Sequence, residues 1–465
     1  MLRRMRGVGA GVRQMRAPDW VRTDAVGLIV ALVVVGGGTV AGLAAAGVIE
    51  SEPAASPATQ APPAPELHAQ LVAHRVERLR RLEFDRIPAV RVLGPADFDK
   101  ATHDIALRGQ NGNSDGGSSR RVRRIGQAAQ YLLKLAAVVP PEFAFANAQQ
   151  ELGLEVAGVY DPVRKRILFP REIAAGDIQQ AQGYLAHELT HALDDQHFGI
   201  ELPENANPFA ESTGAFEALG EGDASYVQLL YARRYGSSFL SPRQELEQQA
   251  ANVAAPLTPP LTQAALFPYV DGASFVAALH QRGGWELVNR AWRSRPPRTS
   301  QQVLHPDDYL ADVRPPSVGV PPANVLGSDW SLVARGTVGE EDTRVLLGVG
   351  LNESVSARIA NGWRGARFEV WRRRGAPPCI GACRADTAAI VAWRWRSAES
   401  AELFAGGLHD YARLGFLAKP AGPLTWRVDD GYMAAVPLAQ SSSVAFSPIP
   451  EQARKLASTA ALRAE

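Results

Sequence analysis

The chain has 465 residues, which is enough for two or three domains that each bury a core of their own. Its 49 basic and 48 acidic residues give a net charge of +1, so the composition argues against general nucleic-acid binding. The composition leaves the oligomeric state open.

The first 50 residues combine a basic segment with an apolar run. Residues 1–23 hold six arginines and one acid, and residues 25–49 carry no charge. A run of that length spans a bilayer as a helix, with the arginines on the cytoplasmic side. We therefore predict a cytoplasmic segment over 1–23 and a transmembrane signal anchor over 24–50, which places the rest of the chain outside the cytoplasm. The alternative is a signal peptide cleaved near residues 44–46, which predicts a secreted chain.

A linker and several short elements follow. Residues 51–65 are mostly Pro, Ala, Ser and Thr, a composition that predicts an extended linker without a fold. The next patterns predict an arginine-rich helix over about 67–82 and a strand over about 89–93. Two runs rich in β-forming residues, 156–160 and 166–169, are separated by turn residues and predict a β-hairpin.

The most specific motif is His187-Glu-Leu-Thr-His191, an HExxH sequence inside a predicted helix over 178–197. Residues four apart lie on one face of a helix, so both imidazoles can bind one metal ion while Glu188 holds a water beside it. The metal that suits this motif is Zn²⁺. The alternative is an exposed helix with incidental histidines.

Catalytic zinc usually takes three protein ligands and leaves a fourth position for water, so the motif needs one more ligand. His197 has the spacing of the metzincin pattern HExxHxxGxxH, but Asp194 stands where that pattern has the glycine of a chain reversal. Glu217 and Glu221 share one face of a predicted helix over 211–235. Glu221 lies in a Glu-Gly-Asp-Ala segment that resembles the Glu-Gly-x-Ala ligand element of gluzincin aminopeptidases. We therefore prefer Glu221, and we expect the glycine after it to let the two helices approach closely.

Several segments together resemble a family of bacterial membrane-anchored or secreted neutral zinc metallopeptidases. They are Val156-Ala-Gly-Val-Tyr-Asp-Pro, the HExxH segment over 187–198, the Glu-Gly-Asp-Ala element, the segment over 296–306 and Gly362-Trp-Arg-Gly. This resemblance covers about residues 67–415 and implies a zinc-dependent peptidase. In many zinc peptidases the strand beside the site binds an extended peptide along an open sheet edge. The predicted hairpin either offers such an edge or only packs the core.

The motif predicts the roles of the surrounding residues. Glu188 is expected to act as general base towards a zinc-activated water. Gluzincins commonly stabilise the oxyanion with a His or Tyr beyond the third ligand, and by order along the chain His305 and Tyr309 are the preferred candidates. A capped turn with a packed aromatic is the alternative for this pair, and Tyr160 and Tyr226 are weaker candidates.

The remaining patterns predict an insertion and a further domain. Residues 237–266 are rich in Pro and Gln and predict a surface insertion, and an amphipathic helix interrupted at Gly283-Gly284 is expected over 275–292. From about residue 327 the pattern changes to short strands with one helix over about 398–411. Cys379 and Cys383 are expected to form a small disulfide if the chain is exported.

The sequence therefore predicts an α+β protein with an N-terminal transmembrane helix, a gluzincin-like zinc peptidase domain over 66–326 and a C-terminal α+β domain over 327–465. The expected function is that of a membrane-tethered metallopeptidase at the outer side of the cell membrane, with a peptide or protein substrate. One alternative is a binding or scaffold protein whose zinc site only joins two helices. The other is a zinc hydrolase of a non-peptide bond such as a cell-wall amide.

Overall fold

The part of the protein that the structure describes consists of two β-sheets and the helices packed on them. The structure is a computed structural model that describes residues 41–43, 67–111, 130–143, 156–200, 211–236, 259–377, 379 and 381–464. The α+β class predicted from the sequence agrees with this architecture.

The N-terminal half contains a small sheet and the longest helices. Its elements are β1 (Ala41–Leu43), α1 (Ala69–Arg80), β2 (Ala89–Leu93), α2 (Pro95–Asn111), β3 (Val156–Asp161), β4 (Arg166–Pro170), α3 (Arg171–Ala175), α4 (Ile178–His197), α5 (Glu211–Tyr235), α6 (Pro259–Arg293), α7 (Ser300–Leu304) and α8 (Pro306–Leu310). The strand order is β1-β3-β4-β2, in which β3 pairs antiparallel with β1 and β4, and β2 pairs parallel with β4. The predicted hairpin is confirmed as β3 and β4.

The predicted transmembrane helix over 24–50 is wrong. Ala41–Leu43 lie within it and form β1, which pairs with β3 beside the HExxH helix. In the part of the chain that the structure describes, no helix is long and apolar enough to cross a membrane. A continuous apolar run has no period that separates a strand from a helix, which is the physical reason for the error. The basic segment over 1–23, the linker over 51–65, and residues 24–40 and 44–50 of the predicted anchor lie outside the described residues.

The HExxH helix α4 lies in the centre of the N-terminal core. It packs against α1, α5 and β3, and α5 in turn packs along α6. The predicted apolar stripe of α4, Leu185, Leu189 and Leu193, is fully buried. This stripe meets aromatic side chains of the hairpin and of α6, such as Phe169 and Phe275. Residues 181–194 are all buried, so neighbouring elements enclose α4 on every side and the polar residues of the motif lie inside the core together with the apolar stripe.

Helix α6 differs from its prediction in length. It begins at Pro259, so the end of the predicted surface insertion is helical and buries Leu261 and Ala264. Residues 237–258 of that insertion lie outside the described residues. The predicted interruption at Gly283 and Gly284 is confirmed, because both leave helical geometry and Gly284 has a φ of 62°, which glycine adopts at little cost.

The C-terminal half is a seven-stranded antiparallel sheet with helices on both faces. Its elements are β5 (Trp330–Thr337), α9 (Glu340–Gly348), α10 (Glu353–Ala360), β6 (Trp363–Arg373), β7 (Thr387–Trp395), α11 (Ala398–Phe416), β8 (Lys419–Gly422), β9 (Thr425–Val428), β10 (Gly431–Pro437), β11 (Ser441–Ser447) and α12 (Pro450–Ala464). The strand order is β5-β6-β7-β11-β10-β9-β8.

Alternate residues of the central strands point to opposite faces of this sheet, as the two-residue period of a strand requires. Val391 of β7 packs with Phe404 of α11 on one face. Its neighbour Ile390 packs with Leu456 of α12 on the other face. Cys379 and Cys383 form the predicted disulfide in the connection between β6 and β7.

Candidate metal centre

The metal centre is built on two long helices. Asp177 caps the N-terminus of α4, and its side chain accepts hydrogen bonds from the backbone N–H groups of Gln179 and Gln180 at 2.8 and 2.9 Å. This cap fixes the start of the helix, so His187 lies on its third turn and His191 on its fourth. Helix α5 packs directly against α4 and carries the acidic segment that contains Glu221.

Three buried side chains from these helices converge. Nε2 of His187 lies 3.0 Å from Nε2 of His191, and each of these nitrogens lies 3.3 Å from Oε2 of Glu221. Among the described residues, this is the only group of three or more His, Cys, Asp or Glu side chains with the spacing of a metal site. The structure therefore brings together the two motif histidines and the predicted third ligand.

The size of this triangle fits zinc. Ligand atoms bound at 2.0–2.1 Å to a tetrahedral zinc ion lie about 3.3–3.4 Å from one another. The two distances to Glu221 have this value, and the distance between the histidine nitrogens is slightly shorter. In size, the triangle of these three atoms matches one face of the coordination tetrahedron of zinc.

The charges of the three residues also suit a cation. Burial favours the neutral form of Glu221, but His191 and His187 oppose it and lower its pKa to about 2. Burial likewise disfavours the charged form of His191, but Glu221 raises its pKa to about 9. Burial lowers the pKa of His187, with its Nδ1 3.1 Å from Oε1 of Gln228. The positive charge that balances Glu221 here is the imidazolium of His191, and a bound metal ion would take over this role once the imidazole gives up its proton.

Glu188 lies beside the triad, and its carboxylate makes no hydrogen bond of ordinary geometry with the described residues, although the backbone N–H of Tyr160 lies close enough to act on it. Both of its oxygens are buried. Burial raises the pKa of Glu188 to about 8, a shift that the positive charge of His191 and the backbone N–H of Tyr160 oppose. A buried carboxyl group without well-formed hydrogen bonds destabilises the fold, so its presence calls for an explanation. Holding a water molecule next to a metal ion is a function that explains it.

Two residues near the centre were not identified from the sequence. Gln228 follows Glu221 by two helical turns on α5, and its amide oxygen accepts from Nδ1–H of His187, which leaves Nε2 of that ring for the metal. Its position seven residues after Glu221 places both side chains on one face of α5, and this spacing is the feature of the sequence that could have identified Gln228. Tyr269 of α6 stacks on His187 with ring centroids 6.3 Å apart. No spacing rule connects α6 with the motif, so Tyr269 had no signal in the sequence.

The hydroxyl group of Tyr269 is exposed to the electrostatic influence of the triad and of the acidic residues beside it. Its side chain is buried, and burial raises its pKa well above the ordinary value, with further increases from the negative charges of Glu221, Glu188 and Glu217. The hydroxyl therefore stays protonated at neutral pH and is able to donate a hydrogen bond.

The predicted oxyanion candidates have other partners. Nε2 of His305 lies 2.8 Å from Oε1 of Glu340, and the hydroxyl of Tyr309 donates to the backbone oxygen of Arg295 at 2.7 Å. The charged residues that shift the pKa values of His305 and Tyr309 lie outside the triad. The structure does not bring His305 or Tyr309 to the metal centre.

The other candidate third ligands, His197 and Glu217, and the weaker oxyanion candidates, Tyr160 and Tyr226, lie outside the triad. Nε2 of His197 lies 2.8 Å from the backbone oxygen of Glu83, outside the triad. Glu217 is half-buried one turn before Glu221 and is not part of the triad. Tyr160 donates to Asp195 and Tyr226 contacts His280, so both phenols have structural partners.

A close contact between helices orients Glu221. A Cβ added at Gly222 would lie 2.3 Å from the backbone carbon of Gly272 on α6, and one added at Gly272 would lie 2.2 Å from the backbone oxygen of Ala218. We expected the glycine after Glu221 to serve the approach of α4 and α5. That expectation is wrong about which helix approaches α5, because Gly222 allows the close approach of α6 and not that of α4. This contact sets the position of Tyr269 relative to Glu221, because Tyr269 precedes Gly272 by one turn.

Comparison with known proteins gives one match. Residues 330–447 match a family model described as a domain of unknown function (DUF8575), which lies within the predicted C-terminal domain over 327–465 and does not include the triad. No curated protein and no solved structure matches the chain. The resemblance to neutral zinc metallopeptidases therefore stays a prediction.

Proposed function

We propose that this protein is a zinc-dependent metallopeptidase in which His187, His191 and Glu221 bind the metal. The observation that carries the proposal is the triangle of ligand atoms with edges of 3.0–3.3 Å beside the unpaired carboxyl group of Glu188. A metal site with three protein ligands and an adjacent carboxylate is the usual arrangement for hydrolysis by an activated water.

Each residue has a distinct role in the proposed reaction. When bound, zinc supplies Lewis acidity that activates water and polarises the substrate carbonyl. Glu188 takes the proton of the attacking water and passes it to the leaving amine. Gln228 orients the ring of His187 through Nδ1.

We assign the oxyanion contact to Tyr269 rather than to His305 or Tyr309. Tyr269 stacks on a ligand ring and is protonated at neutral pH, so it can donate to negative charge that develops beside the metal. The other two side chains are engaged in contacts away from the triad.

A structural zinc site is less well supported than a catalytic one. Structural sites are usually closed by four protein ligands, and His197, the nearest candidate along the chain, bonds to the backbone at Glu83 instead. Within the described ranges the triad has only three members. An open position and an unpaired Glu188 favour hydrolysis.

Metal analysis and an activity assay test the proposal. The purified chain should contain about one zinc per molecule and should cleave casein. Glu188→Ala should retain zinc and lose activity, whereas His187→Ala should lose both. A chain that binds no zinc at micromolar metal contradicts the proposal. Release of products from purified cell-wall material but not from casein would assign a non-peptide amide substrate instead.

A further inference from the structure

Strand β3 lies directly against the proposed general base. A Cβ added at Gly158 would lie 3.0 Å from Cγ and 3.2 Å from Oε1 of Glu188. The absence of a side chain at this position allows the backbone of β3 to approach the carboxyl group closely. A chain paired with β3 opposite Gly158 therefore lies beside Glu188, at about one strand spacing of 4.8 Å from β3.

The chain itself supplies such a strand. Ala41 pairs with Gly158 and Leu43 with Val156, in antiparallel register. The strand formed by these residues, β1, also contacts the HExxH helix α4. The other edge of β3 is paired with β4, so β1 occupies the edge of β3 that β4 leaves open. An extended peptide that adds to β3 would need the same backbone groups.

We propose that Ala41–Leu43 act as an internal strand that competes with an extended peptide substrate for the edge of β3. The inference rests on the proposed peptidase function, because it assigns the substrate to this edge and makes its binding depend on release of β1. A pairing of three residues offers few ladder hydrogen bonds, so the internal strand is displaceable. The site then binds peptide with an apparent affinity reduced by the fraction of molecules in which the edge is free.

Proline substitutions in the full chain test the competition. Proline lacks the backbone N–H and cannot donate to a sheet ladder, so the triple variant Ala41→Pro, Gly42→Pro, Leu43→Pro should release β1 from β3. The matched control is Ala54→Pro, Ala55→Pro, Ala58→Pro, which adds the same three prolines to the Pro- and Ala-rich segment over 51–65. Neither variant changes a residue of the metal centre.

The first measurement is peptide binding without turnover. Both triple variants are combined with Glu188→Gln, and the Kd of a fluorescein-labelled, unstructured casein peptide is measured by anisotropy. We expect the β1 variant to bind about tenfold more tightly than the Glu188→Gln parent, equivalent to about 1.4 kcal/mol, and the control to match the parent. In the active background we expect KM to fall by a similar factor with kcat unchanged.

The outcomes separate this inference from the proposed function. If Kd and KM are the same in the β1 variant and the control, or are higher in the β1 variant, the internal strand does not compete with peptide and the inference is overturned. Hydrolysis and zinc content then still support the peptidase. If neither chain binds zinc or cleaves casein, the proposed function fails, and the change in Kd still decides whether β1 blocks a peptide-binding edge.

Discussion

Arg80 donates two hydrogen bonds to a single oxygen of Asp223, from Nε at 3.1 Å and from Nη2 at 2.9 Å, and all of these groups are buried. The same Nη2 lies 3.5 Å from Oδ1 of Asp194. Asp223 follows Glu221, the proposed third ligand, by two residues on α5, and Asp194 follows His191 by three residues on α4. One guanidinium of α1 thus connects the two helices that carry the triad.

The surroundings of Arg80 show why it must stay charged. Its Nη1 donates to Asn289 at 2.7 Å, and its guanidinium carbon lies 4.4 Å from the ring centroid of Trp285. Burial raises the pKa of Asp194 well above the ordinary value and Asp223 raises it further, while Arg80 opposes both. Without the guanidinium, two neighbouring buried carboxyl groups would lack a cation, which is a costly arrangement.

Removing this cation should weaken both the fold and the metal site. We expect Arg80→Met to lower the free energy of unfolding by about 3–5 kcal/mol, because it leaves buried carboxyl groups uncompensated. Zinc affinity should fall by roughly 10–100-fold, as for the loss of other outer contacts of a metal site. Urea unfolding and competition with a chelator measure the two effects. Arg81→Met at the exposed neighbouring position is the control and should be within about 0.5 kcal/mol of wild type. Equal effects at both positions would contradict the role of Arg80.

The contact between α5 and α6 gives a pair of glycine substitutions with opposite signs. Gly222→Ala places a methyl group on the backbone of Gly272 and should destabilise the protein by about 1–3 kcal/mol or more, because the backbone cannot yield as a side chain can. It should also reduce kcat by displacing Glu221 from Tyr269.

At Gly220, two residues earlier, the nearest atom to an added Cβ is a ring carbon of Trp292 at 3.5 Å, an ordinary contact. Gly220→Ala should therefore stabilise the helix by about 0.5–1 kcal/mol. Thermal unfolding and casein hydrolysis test the pair, and a stable, fully active Gly222→Ala would show that the helices separate freely.

The sequence predicted those parts of the site that lie on one helix or follow a known spacing. The bounds of α4 and α5 agree with their predictions because a stripe of leucines marks α4 and Pro208 precedes the start of α5. Tyr269 and Arg80 come from α6 and α1, and their approach to the triad depends on how four helices pack, which no local pattern encodes. The apolar run that contains β1 illustrates the opposite case, because its composition suits a membrane helix and a buried strand equally.

The pair of His305 and Glu340 should give a pH-dependent contribution to stability rather than to catalysis. The hydrogen bond to Glu340 raises the pKa of His305 above 6.5, against burial. The folded state therefore binds this proton more tightly than the unfolded state does. The contribution, about 0.5–1 kcal/mol, is present below pH 6.5 and is lost as the pH rises through the folded-state pKa. Burial also raises the pKa of Glu340, so the pair weakens again at low pH when that carboxyl group takes up a proton.

Urea unfolding between pH 5.5 and 8.5 tests this assignment. His305→Gln should be less stable than wild type at pH 5.5 and equal to it at pH 8.5, with kcat within about twofold of wild type. His103→Gln, at an exposed histidine of α2, is the control and should follow wild type throughout. A loss of kcat by a factor of 100 in His305→Gln would restore this residue as the oxyanion stabiliser.

The hydroxyl of Tyr269 should contribute to catalysis and little to the fold. Tyr269→Phe keeps the buried ring that stacks on His187 and removes only the donor. We expect kcat to fall by about 10²–10³, equivalent to roughly 2.7–4 kcal/mol of transition-state stabilisation, with KM and zinc content nearly unchanged. Tyr309→Phe is the matched control, because its hydroxyl donates to the backbone oxygen of Arg295 instead. That variant should lose about 1 kcal/mol of stability and keep its kcat. The comparison separates the two tyrosines by a kinetic measurement that a purely structural role would not change, and a reversal of the two results would place the oxyanion contact at Tyr309 as the order along the chain suggested.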